Sequence, residues 1–123
     1  MTEIVLNGDP WGVLRVPAGA PSLVDGGGVE RLGTTDPVRR LIAVRNDLVP
    51  PMLDRVMLHE VAHAVSVSWG MLPTARKALR GDISLADEFV AQLIENHAVE
   101  AIVATSAALG RPVCIGGVCV DKS

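Results

Sequence analysis

Residues 52–67 read MLDRVMLHEVAHAVSV, and the apolar side chains of this stretch recur at helical spacing. Pro50 and Pro51 immediately precede it, and proline suits the first turn of a helix. Gly70 and Pro73 follow it and are typical of a helix end. The sequence therefore predicts the first of two long helices over residues 52–67.

Inside this helix, His59-Glu60-Val61-Ala62-His63 forms an H-E-x-x-H motif. His59 and His63 are one turn apart and project from the same face, so their ring nitrogens can meet one Zn²⁺ at about 2.0–2.1 Å. Glu60 lies about 100° further round the helix, within reach of a water on that metal. A metal-polarised water beside a carboxylate that takes its proton is a hydrolytic site. The motif predicts zinc ligands at His59 and His63 and a catalytic base at Glu60.

A second long helix is predicted after a basic loop. It begins near Asp82 or Ser84, both good N-cap residues, and continues to Leu109, where Gly110 and Pro112 stop it. Two histidines leave a catalytic zinc one protein ligand short, so this helix is expected to supply the third. Its candidates are Asp87, Glu88, Glu95, His97 and Glu100.

The helical wheel discriminates among these candidates. Asp87 lies at the edge of an apolar stripe, one turn before Val90 and two turns before Ile94. Glu88 points largely to the opposite face, so periodicity favours Asp87. Glutamate is the commoner third ligand in this type of site, however, and Glu88 remains the alternative if the helix starts differently. His97 lies in the middle of the stripe and is expected to be a core histidine.

The residues before the first helix are predicted to form a small sheet. Strands are expected at residues 3–6, 11–16 and 41–44, the first two joined by a turn at residues 7–10. Residues 18–36 are rich in glycine and proline and are predicted to be a mobile loop, either a lid over the site or a flexible connection.

The C-terminal residues 113–120 read VCIGGVCV, which predicts a two-residue β-hairpin. In that register Cys114 faces Cys119 as a closely spaced pair, so a cross-strand disulfide is sterically feasible. Two reduced, buried thiols are the preferred interpretation for a chain without a secretion signal. A zinc site would need a second pair of ligands, which these two cysteines lack.

Composition limits the classes of protein. The 123 residues predict one domain, with a strand and loop part at 1–50, a two-helix zinc-site part at 51–110 and a cysteine hairpin at 111–123. The net charge of −3 argues against a nucleic-acid partner. The most apolar stretch, 98–109, is too short to span a membrane and contains Glu100, and Glu3 stands where a signal peptide has positive charge. A cytoplasmic protein without a membrane partner is expected.

A peptidase also needs a group that stabilises the oxyanion of the tetrahedral intermediate. The chain has no tyrosine, and His97 is expected to be buried elsewhere. Arg76 and Arg80, in the loop between the two long helices, could serve, although a solvated basic loop is the preferred interpretation.

The order of these features resembles the zincin-type metallopeptidases, specifically the small phage and mobile-element proteins related to the ImmA/IrrE metallopeptidases. The likeness covers roughly residues 2–105. It consists of Gly33-Thr34-Thr35-Asp36 before the strand at 41–44, the H-E-x-x-H helix, and Asp87-Glu88-Phe89-Val90 on the second helix. The resemblance implies His59 and His63 as zinc ligands and Glu60 as general base. It places the third ligand at Asp87, where the family usually has glutamate.

The expected fold is α+β, a zincin-like minimal domain. A small antiparallel or mixed sheet of N-terminal strands packs on two long helices, and a C-terminal β-hairpin follows. The expected function is a zinc-dependent metallopeptidase that hydrolyses a peptide or protein substrate. The alternative is a non-catalytic, zinc-stabilised binding or regulatory module of phage or mobile-element type, in which the metal ties the two helices together.

Overall fold

The fold described here is that of a computed structural model of the chain. The structure describes residues 1–71, 73, 77, 80–81, 83–115 and 118–120. Between residues 83 and 95, the side chains that it describes are those of Phe89 and Leu93.

A four-stranded mixed sheet occupies the N-terminal part of the chain. Its strands are β1 (Thr2–Leu6), β2 (Asp9–Val16), β3 (Gly33–Asp36) and β4 (Leu41–Arg45), arranged in the order β1-β2-β4-β3. The β1–β2 and β3–β4 pairs are antiparallel, and β2 runs parallel to β4. This order leaves β3 at one edge of the sheet.

Two long helices cover one face of the sheet: α1 (Met52–Ser68) and α2 (Ile83–Leu109). The cis peptide bond Pro50–Pro51 directly precedes α1. Strand residues alternate between the two faces of a sheet, so every second side chain points at the helices. The buried core joins both layers and contains Ile4, Leu6, Trp11, Val13, Ile42, Val44, Leu53, Met57, Val61, Ala64, Val65, Ala101 and Ala104.

A C-terminal hairpin, β5 (Val113–Ile115) and β6 (Val118–Val120), is attached to the beginning of α1. The attachment is the buried carboxylate of Asp54, which accepts two hydrogen bonds from the Arg111 guanidinium, at 2.6 and 2.9 Å. It also accepts one from the backbone N–H of Cys114, at 2.7 Å. The Arg111 guanidinium and this N–H hold the pKa of the Asp54 carboxyl below its usual range.

The expected α+β architecture is confirmed: a mixed sheet of N-terminal strands, two long helices and a C-terminal β-hairpin. The hairpin register is also the predicted one, with Cys114 opposite Cys119. The preferred interpretation of two reduced thiols was wrong, because the structure joins the two sulfur atoms in a disulfide. The close cross-strand pairing, with Cα atoms 4.0 Å apart, brings the sulfurs together.

The prediction of a mobile loop over residues 18–36 was wrong in its last part, since Gly33–Asp36 is strand β3. The earlier part of the segment is held by the carboxylate of Asp25. This carboxylate accepts hydrogen bonds from the backbone N–H groups of Gly27 and Val29, at 2.9 and 3.0 Å. It also forms an ion pair with Arg31 at 2.7 Å. These side-chain hydrogen bonds add to the backbone pairing of the same loop, in which the Asp25 N–H donates to Val29 at 2.9 Å and the Arg31 N–H donates to Leu23 at 2.8 Å.

In the described ranges, neither helix offers a segment both long and apolar enough to cross a membrane.

Candidate metal site

The H-E-x-x-H motif lies in the middle of α1, on the side that borders the edge of the sheet. The Nε2 atoms of His59 and His63 are 3.1 Å apart, and their rings meet edge to face with centroids 4.7 Å apart. Two nitrogens that bind one tetrahedral zinc at 2.0–2.1 Å lie about 3.3 Å from each other. Both imidazoles are exposed, and the same nitrogen of each ring faces the other ring. This geometry fits two ligands of a single metal ion.

Glu60 is the buried member of the motif. Its residue is only 7% exposed, and its Oε1 accepts a 2.8 Å hydrogen bond from the hydroxyl of Thr35 on β3. The same hydroxyl lies 3.1 Å from the Glu60 main-chain oxygen, so one proton is shared between two acceptors. Strand β3 therefore fixes the orientation of the Glu60 carboxylate, and Oε2 is left without a hydrogen bond from the described residues.

Gly33 lets β3 approach α1 closely at this point. A Cβ atom at Gly33 would lie 2.9 Å from the Glu60 Cγ and 2.9 Å from a methyl carbon of Val56. It would also lie 3.2 Å from the Glu60 Oε2. Contacts under 3.0 Å are repulsive, so only glycine fits between the strand and the Glu60 side chain without a rearrangement.

The motif opens into a cleft of about 1080 Å³ between α1 and the edge strand β3. His59, Glu60 and His63 line one wall. The opposite wall is β3 with the segment before it, and the cleft reaches residues on both faces of the sheet edge, such as Thr35 and Ala43. The cleft is large enough to hold several residues of an extended peptide.

The third ligand lies outside the described residues, because the side chains of Asp87 and Glu88 are not among them. Both residues belong to α2 by their backbone, as the sequence predicts. Among the side chains that the structure does describe, no group of three histidine, cysteine or acidic residues is placed to hold a metal ion. The choice between Asp87 and Glu88 stays a prediction.

His97 is buried on α2, as expected of a core histidine, with 9% of its surface exposed. Its ring packs on that of Trp69 with centroids 4.7 Å apart, and its Nδ1 has no hydrogen-bond partner among the described residues. Glu100 accepts a 2.7 Å hydrogen bond from the indole N–H of Trp69. Trp69 thus engages two of the five candidates for the third ligand.

The structure does not support an oxyanion-stabilising role for either of the two arginines that the sequence suggested. Arg76 lies outside the described residues, and Arg80 is exposed. The sequence interpretation missed two other arginines, Arg39 and Arg55, which line the cleft. Arg55 had a detectable signal, since it is four residues before His59 on the same helix and such residues share a face.

Comparison with known proteins gives no neighbour for this architecture and motif: no family model, no curated protein and no solved structure matches the chain.

Proposed function

We propose that this protein is a zinc-dependent peptidase of the H-E-x-x-H class. The observation that carries the proposal is the convergence of the His59 and His63 Nε2 atoms, 3.1 Å apart, beside the oriented carboxylate of Glu60 in one open cleft. A helix that buried its motif in the core could not present these groups to a substrate. Here the two imidazoles are exposed, whereas the carboxylate between them is held by the edge strand.

Each residue of the motif has a separate role. His59 and His63 hold the metal through Nε2, and zinc would supply Lewis-acid polarisation of a water and of the substrate carbonyl. Thr35 occupies Oε1 of Glu60 and so keeps the carboxylate from rotating. Oε2 is then the atom that takes a proton from the attacking water and delivers it to the leaving amine nitrogen.

The third ligand in this proposal comes from α2, with Asp87 favoured by its helical position and Glu88 as the alternative. A catalytic zinc keeps three protein ligands and one open position. Asp87 and Glu88 both follow His63 across the connection from α1 to α2, and an acidic residue near the start of α2 would complete a two-histidine, one-carboxylate set.

A peptide is the substrate class that the cleft favours. Strand β3 pairs with β4 on one side, and no strand of the described chain pairs with its other side. A strand edge offers backbone donors and acceptors to an extended peptide. Such a peptide would lie along β3 with its backbone beside His59 and Glu60, since Thr35 of β3 is bonded to Glu60.

The cytoplasmic location expected from the sequence stays a prediction. The Cys114–Cys119 disulfide weighs against it, because disulfides persist in oxidising compartments and are rare in the cytosol.

Zinc content tests the first half of the proposal. Elemental analysis of the purified protein should find about one zinc per chain, and His59→Ala should lose it because one of two fixed imidazoles is gone. Asp87→Ala and Glu88→Ala, measured in parallel, identify the third ligand as the one whose removal releases the metal. A chain that takes up no zinc after reconstitution would overturn the proposal.

Peptide hydrolysis tests the second half. Glu60→Gln should retain zinc and lose at least about 100-fold in turnover, the scale of general acid–base catalysis. Glu3→Gln is the matched control, because it makes the same chemical change on an exposed residue of β1, and it should keep full activity. Zinc binding without hydrolysis of any peptide pool would favour the alternative function, a zinc-stabilised binding or regulatory module.

A further inference from the structure

The cleft contains three cationic side chains that differ in what they contact. Arg31 is engaged, since its guanidinium pairs with Asp25 at 2.7 Å. The side chains of Arg39 and Arg55 make no hydrogen bond and no ion pair with any residue that the structure describes. Both are exposed and both line the cleft. Their charges are available to a ligand.

The acidic side chains of the same cleft are all engaged. Asp25 accepts hydrogen bonds from Arg31 and from two backbone N–H groups. Asp36 accepts hydrogen bonds from the backbone N–H groups of Val38 and Arg39, both at 3.0 Å. Glu60 is bonded to Thr35. The three carboxylates and the three arginines of the cleft balance in formal charge, and Arg39 and Arg55 are the charged side chains among them that have no partner in the described part of the chain.

The direction in which β3 runs along α1 places the two free arginines on opposite sides of Glu60. Arg55 precedes His59 by one helical turn, about 6 Å along α1. Strand β3 advances along α1 in the same direction as the helix, because Gly33 approaches Val56 and Thr35 bonds to the Glu60 main-chain oxygen. Arg39 follows the end of β3 and therefore lies beyond Glu60, on the side away from Arg55.

We propose that the cleft selects an acidic peptide segment, with Arg55 and Arg39 as specificity-determining residues that pair with carboxylates on either side of the peptide bond at the metal site. This inference rests on the proposed function for the position of that bond. A nucleic acid would also bring negative charge, but neutralising its phosphates takes a longer basic surface than two arginines in an acidic chain.

Peptide binding tests the inference without relying on catalysis. Two labelled ten-residue peptides are compared by fluorescence anisotropy, one with glutamates on both sides of a central alanine pair and one with glutamines at the same positions. The measurement is made in EDTA and again with zinc. The glutamate peptide should bind at least tenfold more tightly at 50 mM salt. The ratio should approach one at 500 mM salt, where the Debye length falls to about 4 Å.

Charge variants assign the preference to the two arginines. Arg55→Gln and Arg39→Gln should each reduce the glutamate-to-glutamine ratio by about threefold or more, and the double variant should abolish it. Each single variant should lose most affinity for a peptide that carries glutamate only on the side of the alanine pair that the replaced arginine is proposed to contact. Arg15→Gln is the matched control, since Arg15 is an exposed arginine of β2 outside the cleft, and its ratio should stay unchanged.

The outcomes separate this inference from the proposed function. Equal binding of both peptides, or a preference that survives in the double variant, would overturn the acidic specificity even if the protein hydrolyses peptides. A preference for the glutamate peptide in EDTA that disappears in the double variant would support the acidic specificity even if no hydrolysis is found. Displacement of the glutamate peptide by a short single-stranded DNA at equal charge concentration would overturn the choice of a peptide ligand.

Discussion

Helix α1 carries two buried carboxylates, six residues apart, in opposite situations. Asp54 is fully buried and meets a cation and a backbone N–H, so all its partners carry or present positive charge. Glu60 is 7% exposed and meets one neutral hydroxyl, that of Thr35, beside two imidazoles in an open cleft. One carboxylate is compensated within the protein, and the other is oriented but not neutralised.

The difference shows how one helix can serve stability at one end and chemistry in the middle. A buried carboxylate with a bidentate arginine is a fixed structural link, because its charge is already balanced. A carboxylate held by a hydroxyl keeps one oxygen free for a proton. Variants of Asp54 should therefore lower the free energy of unfolding and leave the metal site intact, whereas variants around Glu60 should lower turnover at a smaller cost in the free energy of unfolding.

The largest expected effect is on stability, from Asp54→Asn. This change should lower the free energy of unfolding by about 3 kcal/mol, since it leaves the Arg111 charge without its partner. The Arg111 side chain is one-third exposed, so water compensates part of its charge. The loss in the free energy of unfolding is therefore near the lower end of the range for broken buried ion pairs. Urea unfolding of the metal-free protein at pH 7 measures the loss, and zinc content should not change.

Asp47→Asn is the matched control for this prediction. The Asp47–Arg45 pair has the same 2.6 Å separation as the Asp54–Arg111 pair, but the Asp47 side chain is 53% exposed. Its removal should cost far less, since exposed ion pairs contribute little. Equal losses in the two variants would contradict the distinction between a buried link and a surface pair.

The second effect is a pH dependence of unfolding that originates at Asp54. Its folded-state pKa lies below the unfolded value of about 3.9, so its contribution to stability is present above that pH. The contribution is lost as the pH falls through the folded pKa, when the carboxyl takes a proton in the native state. Urea unfolding in EDTA between pH 6 and pH 2.5 should show a steeper acid loss for the wild type than for Asp54→Asn. Parallel curves would assign the acid sensitivity to other carboxyls.

The sequence predicts the elements that depend on local periodicity. Both long helices, three of the four sheet strands and the Cys114–Cys119 register follow from spacing and turn residues alone. Strand β3 was missed because four residues after a glycine-rich segment carry too little period-two pattern, and their pairing with β4 is a tertiary contact. The link between Asp54 and Arg111 was missed for the same reason, since 57 residues separate them.

The residues of the candidate site also differ in whether local spacing or a tertiary contact brings them together. His59, Glu60 and His63 are predictable because a four-residue spacing fixes their relation within one helix. Thr35 is not, since its role depends on how the sheet edge packs against α1. Arg39 becomes part of the cleft only through the turn that follows β3.

The third effect is steric and comes from Gly33→Ala. The added methyl group would overlap with the side chains of Glu60 and Val56, so one of them must move. We expect a loss of about 1–2 kcal/mol in the free energy of unfolding, typical of overpacking. Peptide hydrolysis should fall while zinc content is retained, since His59 and His63 are not displaced.

Gly26→Ala provides the control for Gly33→Ala. Gly26 also lines the cleft, but a Cβ there meets nothing within 4 Å. This variant should match the wild type in unfolding and hydrolysis. If Gly33→Ala also matched the wild type in unfolding and hydrolysis, the close contact between β3 and Glu60 would contribute to neither stability nor activity.

The smallest expected change in stability comes from Thr35, whose hydroxyl donates the hydrogen bond that orients the Glu60 carboxylate. Thr35→Val keeps the shape of the side chain and deletes its hydroxyl, which should cost about 1 kcal/mol in stability. Thr34→Val, on the opposite face of the same strand, deletes a 2.6 Å hydrogen bond to the main-chain oxygen of Ser22 and should cost about as much. Only Thr35→Val should lower kcat, by about tenfold, with zinc content unchanged, because only Thr35 contacts the carboxylate that moves the proton. Equal kcat in the two variants would mean that Glu60 is positioned by packing alone, as the approach of Gly33 would allow.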